Sequence, residues 1–382
     1  MKFVKQVSLV CFIGSLPFAL QAKPQVIPDD WKTECVGYFQ ISLPGEVEIG
    51  VVQNTPDPSK GTHNLQNTGN QFFAESRYLK GSVRTSPILP ESSFSRIKYE
   101  VAKDIDELKK GIASDSPTKV ISHKTDQNSI IFSYASKHGV TGEAFLYQAE
   151  RIYFFRTSED ELPVAEAEAK VKSAQTQFLQ NFRARALYDV PQEKGFCMPY
   201  GFVKDDSPQH RSMGTIMRLI DHPDVRILFR DQSASIMKSY SGEENATVEQ
   251  ELRAFWERPD WGGVKYQALG FRKFPSVQMG GYKGRSTFVE ITRPSYTPIS
   301  ECAWDDEDFS KAEKKLAGCT PPTLDYGYIA YVKGDPDAKE DTPNLLLYVM
   351  QDSKNAPDGK ATIGKDELRK MADTIAASIK RR

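Results

Sequence analysis

The stretch "ECVGYFQISLPG", residues 34–45, begins the first strand-like segment of the chain, and it has an echo in "FCMPYGF", residues 196–202. Each places a cysteine just ahead of glycine and aromatic residues. Short apolar-rich runs bounded by glycine and proline are typical of β-strands. The chain is therefore predicted to begin a strand in the same way twice.

The elements that follow each opening come in a similar order. In the first half, apolar residues recur every three or four positions over residues 94–112, which predicts an amphipathic helix. Four apolar-rich runs from "KVISHK" to "RIYFFRT" then predict an antiparallel meander, and a second amphipathic helix follows. The second half repeats this order. We predict an α+β protein with two related domains, each a mostly antiparallel sheet with helices packed on one face.

The predicted boundaries follow from this repeat. Residues 31–187 form the N-terminal domain, residues 188–195 a linker, and residues 196–382 the C-terminal domain. Identity between the halves is slight, so a chance similarity of two α+β domains is the alternative to an internal duplication.

The first 22 residues, "MKFVKQVSLVCFIGSLPFALQA", have a basic start, an apolar stretch and a small residue for cleavage. This pattern predicts a secretory signal peptide over residues 1–22 and a periplasmic mature protein. No later segment approaches 18 consecutive apolar residues, so no membrane span is expected in the mature chain. The net charge of −1, with both signs interspersed, disfavours a nucleic-acid partner.

Four cysteines remain after removal of the signal peptide: Cys35, Cys197, Cys302 and Cys319. An even number in an oxidising compartment indicates two structural disulfides, for which three connectivities are possible. Cys302 and Cys319 are close in sequence, which favours their pairing and leaves Cys35 with Cys197. Four buried free thiols are the alternative.

Sequence motifs for catalysis are missing. The chain has no G-x-S-x-G elbow, no H-E-x-x-H, no phosphate-binding loop and no dinucleotide fingerprint. The cysteines lack the C-x-x-C spacing of a zinc site. We expect a binding protein that is not an enzyme, with no metal and no cofactor.

Two surface segments are candidate partner contacts. The first is an acidic run between two cysteines, formed by Asp305, Asp306, Glu307 and Asp308. A disulfide-closed acidic loop would lose little conformational freedom on binding, although a solvated loop is the simpler interpretation.

The second segment is a predicted hairpin in which residues 265–279 and 284–292 are strand-like and Gly280-Gly281 form the turn. Met279, Tyr282 and Arg285 lie near this turn, and their residue types are favoured in interface cores.

The C-x-G-x-F-x-x-x-L-P run of residues 35–44 and the "GFC" at residues 195–197 carry a family resemblance. They resemble the starts of the two domains in immunity proteins that act against type VI secretion phospholipase effectors of the fourth lipase class. The resemblance spans residues 31–382.

This resemblance implies a two-domain periplasmic protein that binds a cognate type VI lipase effector. Such a protein would block the effector's active site or the opening of its lid, and its cysteines would be structural. A periplasmic protein that binds a lipid or a small apolar ligand is the alternative, and a hydrolase with an unrecognised site is a third possibility.

Overall fold

The structure is a computed structural model that describes residues 26–49, 74–79, 81–110, 119–205, 211–236, 245–257, 265–293, 323–338, 342–356 and 362–382. The predicted signal peptide, Cys302, Cys319 and the acidic run at residues 305–308 lie outside the described residues.

The N-terminal half runs from an opening hairpin through a meander to a long helix. Its elements are β1 (Lys32–Val36), β2 (Phe39–Leu43), β3 (Val47–Ile49), β4 (Ala74–Tyr78), β5 (Gly81–Thr85), α1 (Glu91–Lys109), β6 (Lys119–Thr125), β7 (Ser129–Ser136), β8 (Gly139–Gln148), β9 (Arg151–Glu159), α2 (Val164–Asn181) and β10 (Phe182–Ala184). Helix α1 follows Pro90, whose extended backbone and fixed φ suit the position before a helix. Its buried stripe includes Ile97, Val101 and Ile105, at the helical spacing seen in the sequence.

The C-terminal half has a similar order of elements, with one strand fewer before its first helix and one strand more between its helices. They are β11 (Gly195–Met198), β12 (Gly201–Lys204), β13 (Ser212–Leu219), β14 (Val225–Gln232), α3 (Val248–Trp256), β15 (Lys265–Ala268), β16 (Ser276–Met279), β17 (Tyr282–Arg293), β18 (Thr323–Val332), β19 (Asn344–Gln351), α4 (Lys365–Ser378) and β20 (Lys380–Arg381), with short 3₁₀ turns at Ala234–Ile236 and Ser353–Asn355. Helix α3 begins with a capping box in which Thr247 and Gln250 each satisfy the other's backbone N–H.

Fourteen strands of the described residues form one antiparallel sheet. The strand order is β15-β17-β18-β19-β14-β13-β4-β5-β9-β8-β7-β6, while β16 pairs with β17 and β3 with β13. The α+β class and the antiparallel character agree with the sequence prediction. The order β4-β5-β9-β8-β7-β6 is repeated by β13-β14-β19-β18-β17-β15, so the two halves have the same topology.

The two halves share this sheet instead of each having a separate one. Strands β4 and β13 pair at the centre, where Ser76 lies opposite Met213 and Arg77 opposite Ser212. Backbone hydrogen bonds therefore continue from one half into the other, which removes a sheet edge that two separate domains would each expose.

The opening hairpins are exchanged between the halves. Strands β1 and β2 form a small sheet with β20 from the end of the chain, and β11 and β12 form another with β10 from the end of the first half. Ser42 of β2 donates its N–H to Ser378 Oγ of α4 at 2.9 Å. The domain boundary at residues 188–195 stays a prediction, because the opening hairpin of each half pairs with the last strand of the other half.

The helices of each half pack on opposite faces of the sheet, which corrects the predicted packing on one face. Phe94 of α1 lies in a core cluster with Phe145 and Phe154. Phe178 of α2 stacks on Phe155 at 4.4 Å between ring centroids, on the other face. Neighbouring residues of β9 are both apolar and point to opposite faces, so each face needs its own helix.

The same holds in the C-terminal half. Val289 and Ile291 of β17 belong to the core cluster under α3, while Phe288 belongs to the cluster under α4. Among the described helices, none has a stretch long and apolar enough to cross a membrane.

Candidate partner-binding site

The two exchanged hairpins meet at a disulfide. Cys35 of β1 and Cys197 of β11 are bonded and are 2% and 0% exposed. Gly37 and Cys197 also exchange a pair of backbone hydrogen bonds, each 2.9 Å long. The cysteines that mark the sequence echo therefore join the starts of the two halves.

A buried ion pair lies beside the disulfide. Arg185 and Glu34 pair through side chains that are each 1% exposed. The same guanidinium donates to the Cys35 carbonyl at 3.1 Å and the Met198 carbonyl at 3.3 Å, one in each hairpin. The other Glu34 oxygen accepts the N–H of Tyr188 at 2.7 Å. One charged pair thus connects both hairpins and the segment between the halves.

A second buried pair lies under the same junction. Arg211 Nε contacts Asp231 Oδ2 at 2.9 Å, and both side chains are at most 1% exposed. Asp231 also accepts the N–H of Tyr38 at 3.0 Å, and the Arg211 guanidinium lies 4.8 Å from the Tyr38 ring centre. Gly37 has a φ of +61°, and a Cβ there would collide with Asp231. The junction is therefore a tightly packed polar core and not an open cleft.

The predicted contact hairpin is present, with Gly280 and Gly281 as its turn between β16 and β17. Met279 is 0% exposed and belongs to the main hydrophobic core. Alternate residues of a strand face opposite sides, and Met279 is on the inner side. Met279 is therefore a core residue, which corrects its prediction as a partner contact.

The other two residues of that prediction reach the surface. Tyr282 is half-buried, and its hydroxyl accepts a hydrogen bond from Arg381. Arg285 is 42% exposed, pairs with Glu249 at 3.0 Å and donates to Ser276 Oγ at 2.7 Å. Tyr282 and Arg285 stay predictions as partner contacts.

The turn of this hairpin is held against the exchanged N-terminal hairpin. Gly280 has a φ of +59° and donates its N–H to the Ile379 carbonyl at 3.0 Å. A Cβ at Gly280 would collide with the Phe39 ring. Gly281 has a φ of +87°, but nothing lies within 4 Å of its Cβ position.

We expect Gly280→Ala to lower the free energy of unfolding by about 2–4 kcal/mol, since it adds a collision with a buried ring to the cost of a positive φ. Gly281→Ala is the matched control and is expected to lose only about 1 kcal/mol, from φ alone. Urea unfolding of both variants measures the difference. Equal losses would contradict the close packing of this turn on Phe39.

An open groove of about 1250 Å³ lies beside this hairpin. The N-terminus of α3, strand β16, the start of β17 and one side of α4 form its walls. The charged side chains that line it are Glu249, Lys283, Arg285, Asp366, Arg369, Lys370, Asp373 and Lys380.

Cationic side chains predominate in the groove. Arg285 and Arg369 have carboxylate partners, at 3.0 Å in Glu249 and 4.0 Å in Asp373. Among the described residues, no ion pair involves Lys283, Lys370 or Lys380. The groove can therefore attract an anionic surface by charge. Of the contact residues predicted from the sequence, Arg285 lines this groove. The basic residues of α4 do not stand out in the sequence, because charged residues on a helix usually mark an ordinary solvated face.

The remaining candidate for acid–base chemistry is a buried carboxyl group on β8. Glu143 is 2% exposed, and burial raises its pKa to about 7, against the opposing charge of Arg156 and a hydrogen bond from Tyr134. Its Oε2 atom has no hydrogen-bond partner among the described residues. The Glu143 side chain faces the core under α1, so its protonation state affects the stability of the fold and not a catalytic step.

The raised pKa predicts a pH-dependent stability. A carboxyl group with a folded-state pKa of about 7 and an unfolded value of 4.5 binds its proton more tightly when folded. The stabilisation that comes from this tighter proton binding is complete below pH 4.5 and is lost as the pH rises to about 7. The free energy of unfolding falls by about 3 kcal/mol over this range. We expect Glu143→Gln to unfold like the wild type at pH 4.5 and to be more stable by about 2–3 kcal/mol at pH 8. Chemical denaturation at both pH values tests this. A difference that does not change with pH would contradict it.

Within the described residues, no group of three or more histidine, cysteine, aspartate or glutamate side chains could hold a metal ion. The features that bear on function are thus two halves joined by a shared sheet and a disulfide, and a charged groove beside the β16–β17 hairpin.

The fold is shared with immunity proteins of a type VI secretion system. One match is the immunity protein TplEi from Pseudomonas aeruginosa complexed with "L" peptide, with 16% identity, a TM-score of 0.54, and coverage of 93% of this chain and 99% of that chain. The apo structure of TplEi matches with 16% identity, a TM-score of 0.55, and coverage of 92% and 97%.

A chain of the Tle4–Tli4 complex also matches, with 17% identity, a TM-score of 0.55, and coverage of 92% of this chain and 98% of that chain. At these identities the likeness establishes a common fold over nearly the whole length. No protein-family model matches the sequence, and no curated protein matches it.

Proposed function

We propose that this protein is an exported immunity protein that binds and inhibits a type VI secretion phospholipase effector in the periplasm. The observation that carries the proposal is the shared fold with the immunity protein TplEi, which covers 93% of this chain. The sequence resemblance at residues 35–44 and 195–197 points to the same class independently.

Inhibition would act by binding, through occlusion of the effector's active site or restraint of its lid. A binder of this kind gains from rigidity, because little conformational freedom is lost when a preorganised surface docks. The shared sheet, the disulfide and the two buried ion pairs give this protein that rigidity.

The alternative, a periplasmic carrier of a lipid or small apolar ligand, would need a largely apolar pocket. The groove beside α4 is open and lined by many charged side chains, so it suits a protein surface better.

The test is a titration of phospholipase activity. The lipase encoded beside this gene is assayed on phospholipid vesicles with increasing amounts of the purified mature protein. Full loss of activity at a one-to-one ratio is expected, together with a complex on a sizing column.

An unrelated phospholipase is the control and should keep its activity, because a protein that merely coats vesicles would slow both enzymes. Unchanged activity of the neighbouring lipase without a complex would overturn the proposal. Extraction of a co-purifying lipid from the protein would then support the carrier alternative.

A further inference from the structure

A fully exposed aromatic side chain marks the surface next to the groove. Phe271 has a relative exposure of 103%, the largest value among the exposed apolar side chains of the described residues. It lies in the loop between β15 and β16, where the sequence pattern predicts one continuous strand-like segment over residues 265–279. Arg272 and Lys273, which follow it, are also exposed.

This loop is anchored at both ends. The N–H of Leu269 donates to the Phe288 carbonyl at 2.8 Å, and the Pro275 carbonyl accepts from Ser286 at 3.0 Å. Behind the tip, the Phe274 ring lies 5.3 Å from the Arg253 guanidinium. Phe271 is thus presented on a supported loop, so its exposure is a property of the folded chain and costs little further ordering on binding.

The loop and the groove form one continuous surface. Gly270 has a φ of +95°, and a Cβ there would lie 3.8 Å from Nη1 of Arg369, a residue of the groove wall. Ser276 and Val277, which follow the loop, line the groove as well. The loop that carries Phe271 therefore borders the cationic groove.

We propose that Phe271 and the lysines of the groove together bind an acidic segment of the partner protein, with Phe271 inserted into an apolar pocket on that partner. This inference rests on the proposed function and assigns part of its interface. Aromatic side chains are enriched in the cores of interfaces, and complementary charges around them act mainly on specificity and on the rate of association.

The charge and the shape of the groove favour an acidic protein segment over an anionic membrane as its occupant. The groove lining has five cations and three carboxylates, on a chain whose overall charge is −1. Lys283 and Arg369 lie within a concavity, which a protruding helix or loop can enter and a flat bilayer cannot. Glu249 and Asp366 in the same walls leave the positive charge in patches, which suits localised acidic groups better than a uniformly anionic surface.

The first test compares two exposed aromatic residues. Phe271→Ala is expected to weaken binding to the purified neighbouring lipase by about 30-fold or more, the loss typical of a hot-spot residue. Tyr99→Ala is the matched control, because Tyr99 is 73% exposed on α1 in the other half. It is expected to bind like the wild type. Both side chains are exposed, so both variants should keep the wild-type melting temperature.

The second test reverses charge in and away from the groove. The Lys283→Glu, Lys380→Glu double variant is expected to bind at least about 10-fold more weakly, mainly through slower association at low salt. Lys119→Glu, Lys172→Glu makes the same charge change on exposed lysines of the N-terminal half and should leave binding unchanged.

The outcomes separate this inference from the proposed function. Wild-type protein that inhibits the lipase while Phe271→Ala and the groove variant bind within twofold of it would overturn the inference alone. Wild-type protein that neither binds nor inhibits the lipase would overturn both. Wild-type binding to phosphatidylglycerol vesicles that is lost in Phe271→Ala would assign the surface to a membrane and also overturn the inference.

Discussion

Replacing Arg185 with alanine is expected to lower the free energy of unfolding by about 3–5 kcal/mol. The substitution leaves the Glu34 carboxylate, 1% exposed, without its charged partner. It also removes the donor to the Cys35 and Met198 carbonyls, so that both opening hairpins lose a hydrogen bond at once. Urea unfolding monitored by circular dichroism measures the change.

The matched control for Arg185 is an ion pair at the surface. Arg218 pairs with Glu48 between β13 and β3, where the two side chains are 47% and 57% exposed. Arg218→Ala is expected to cost less than about 1 kcal/mol, because solvent screens such pairs. A loss of similar size in both variants would show that burial of the Arg185 pair is not what stabilises the junction.

Removal of the disulfide by Cys35→Ser with Cys197→Ser is expected to have the second large effect. The bond closes a loop with a sequence separation of 162 residues. In the chain-entropy model a loop of this length stabilises by about 5 kcal/mol, through restriction of the unfolded chain. The double variant should unfold at a much lower urea concentration than the oxidised wild type.

The disulfide is also expected to matter for binding. It joins the starts of the two halves, so its loss should loosen their relative arrangement, raise the cost of ordering the binding surface and weaken binding. The matched measurement is wild-type protein with and without reductant, under conditions where the fold survives. Effector affinity of the double variant equal to that of the wild type would contradict this role.

Much of the secondary structure follows from local patterns in the chain. The helical spacing of Ile97, Val101 and Ile105 predicts α1, and the alternating runs from residue 119 to 157 predict the meander β6 to β9. These predictions agree with the structure because the spacing of apolar side chains depends on the geometry of the helix or strand itself. It does not depend on which other element packs against it. Residues 265–279 are the exception, since Gly270 and Pro275 interrupt the strand that was predicted there.

The candidate site was less accessible to sequence reasoning. Residue type near a turn predicts Arg285 as a contact, and Arg285 does line the groove. The same criterion predicts Met279, which is buried. Residue type alone does not tell which side of β16 faces the core. Phe271 has no signal of its own in the sequence, since an aromatic residue in an apolar-rich run has the pattern of a core residue.

The sequence by itself determined the α+β class, the order of the elements and the repeated cysteine-led openings, because these depend on residues that are neighbours along the chain. Only the tertiary structure decided that the halves share one sheet through β4 and β13 and exchange their opening hairpins. It also decided that helices cover both faces of the sheet. Such arrangements depend on which strand edges and apolar faces pair between segments more than a hundred residues apart. The local spacing of apolar residues does not specify these long-range pairs.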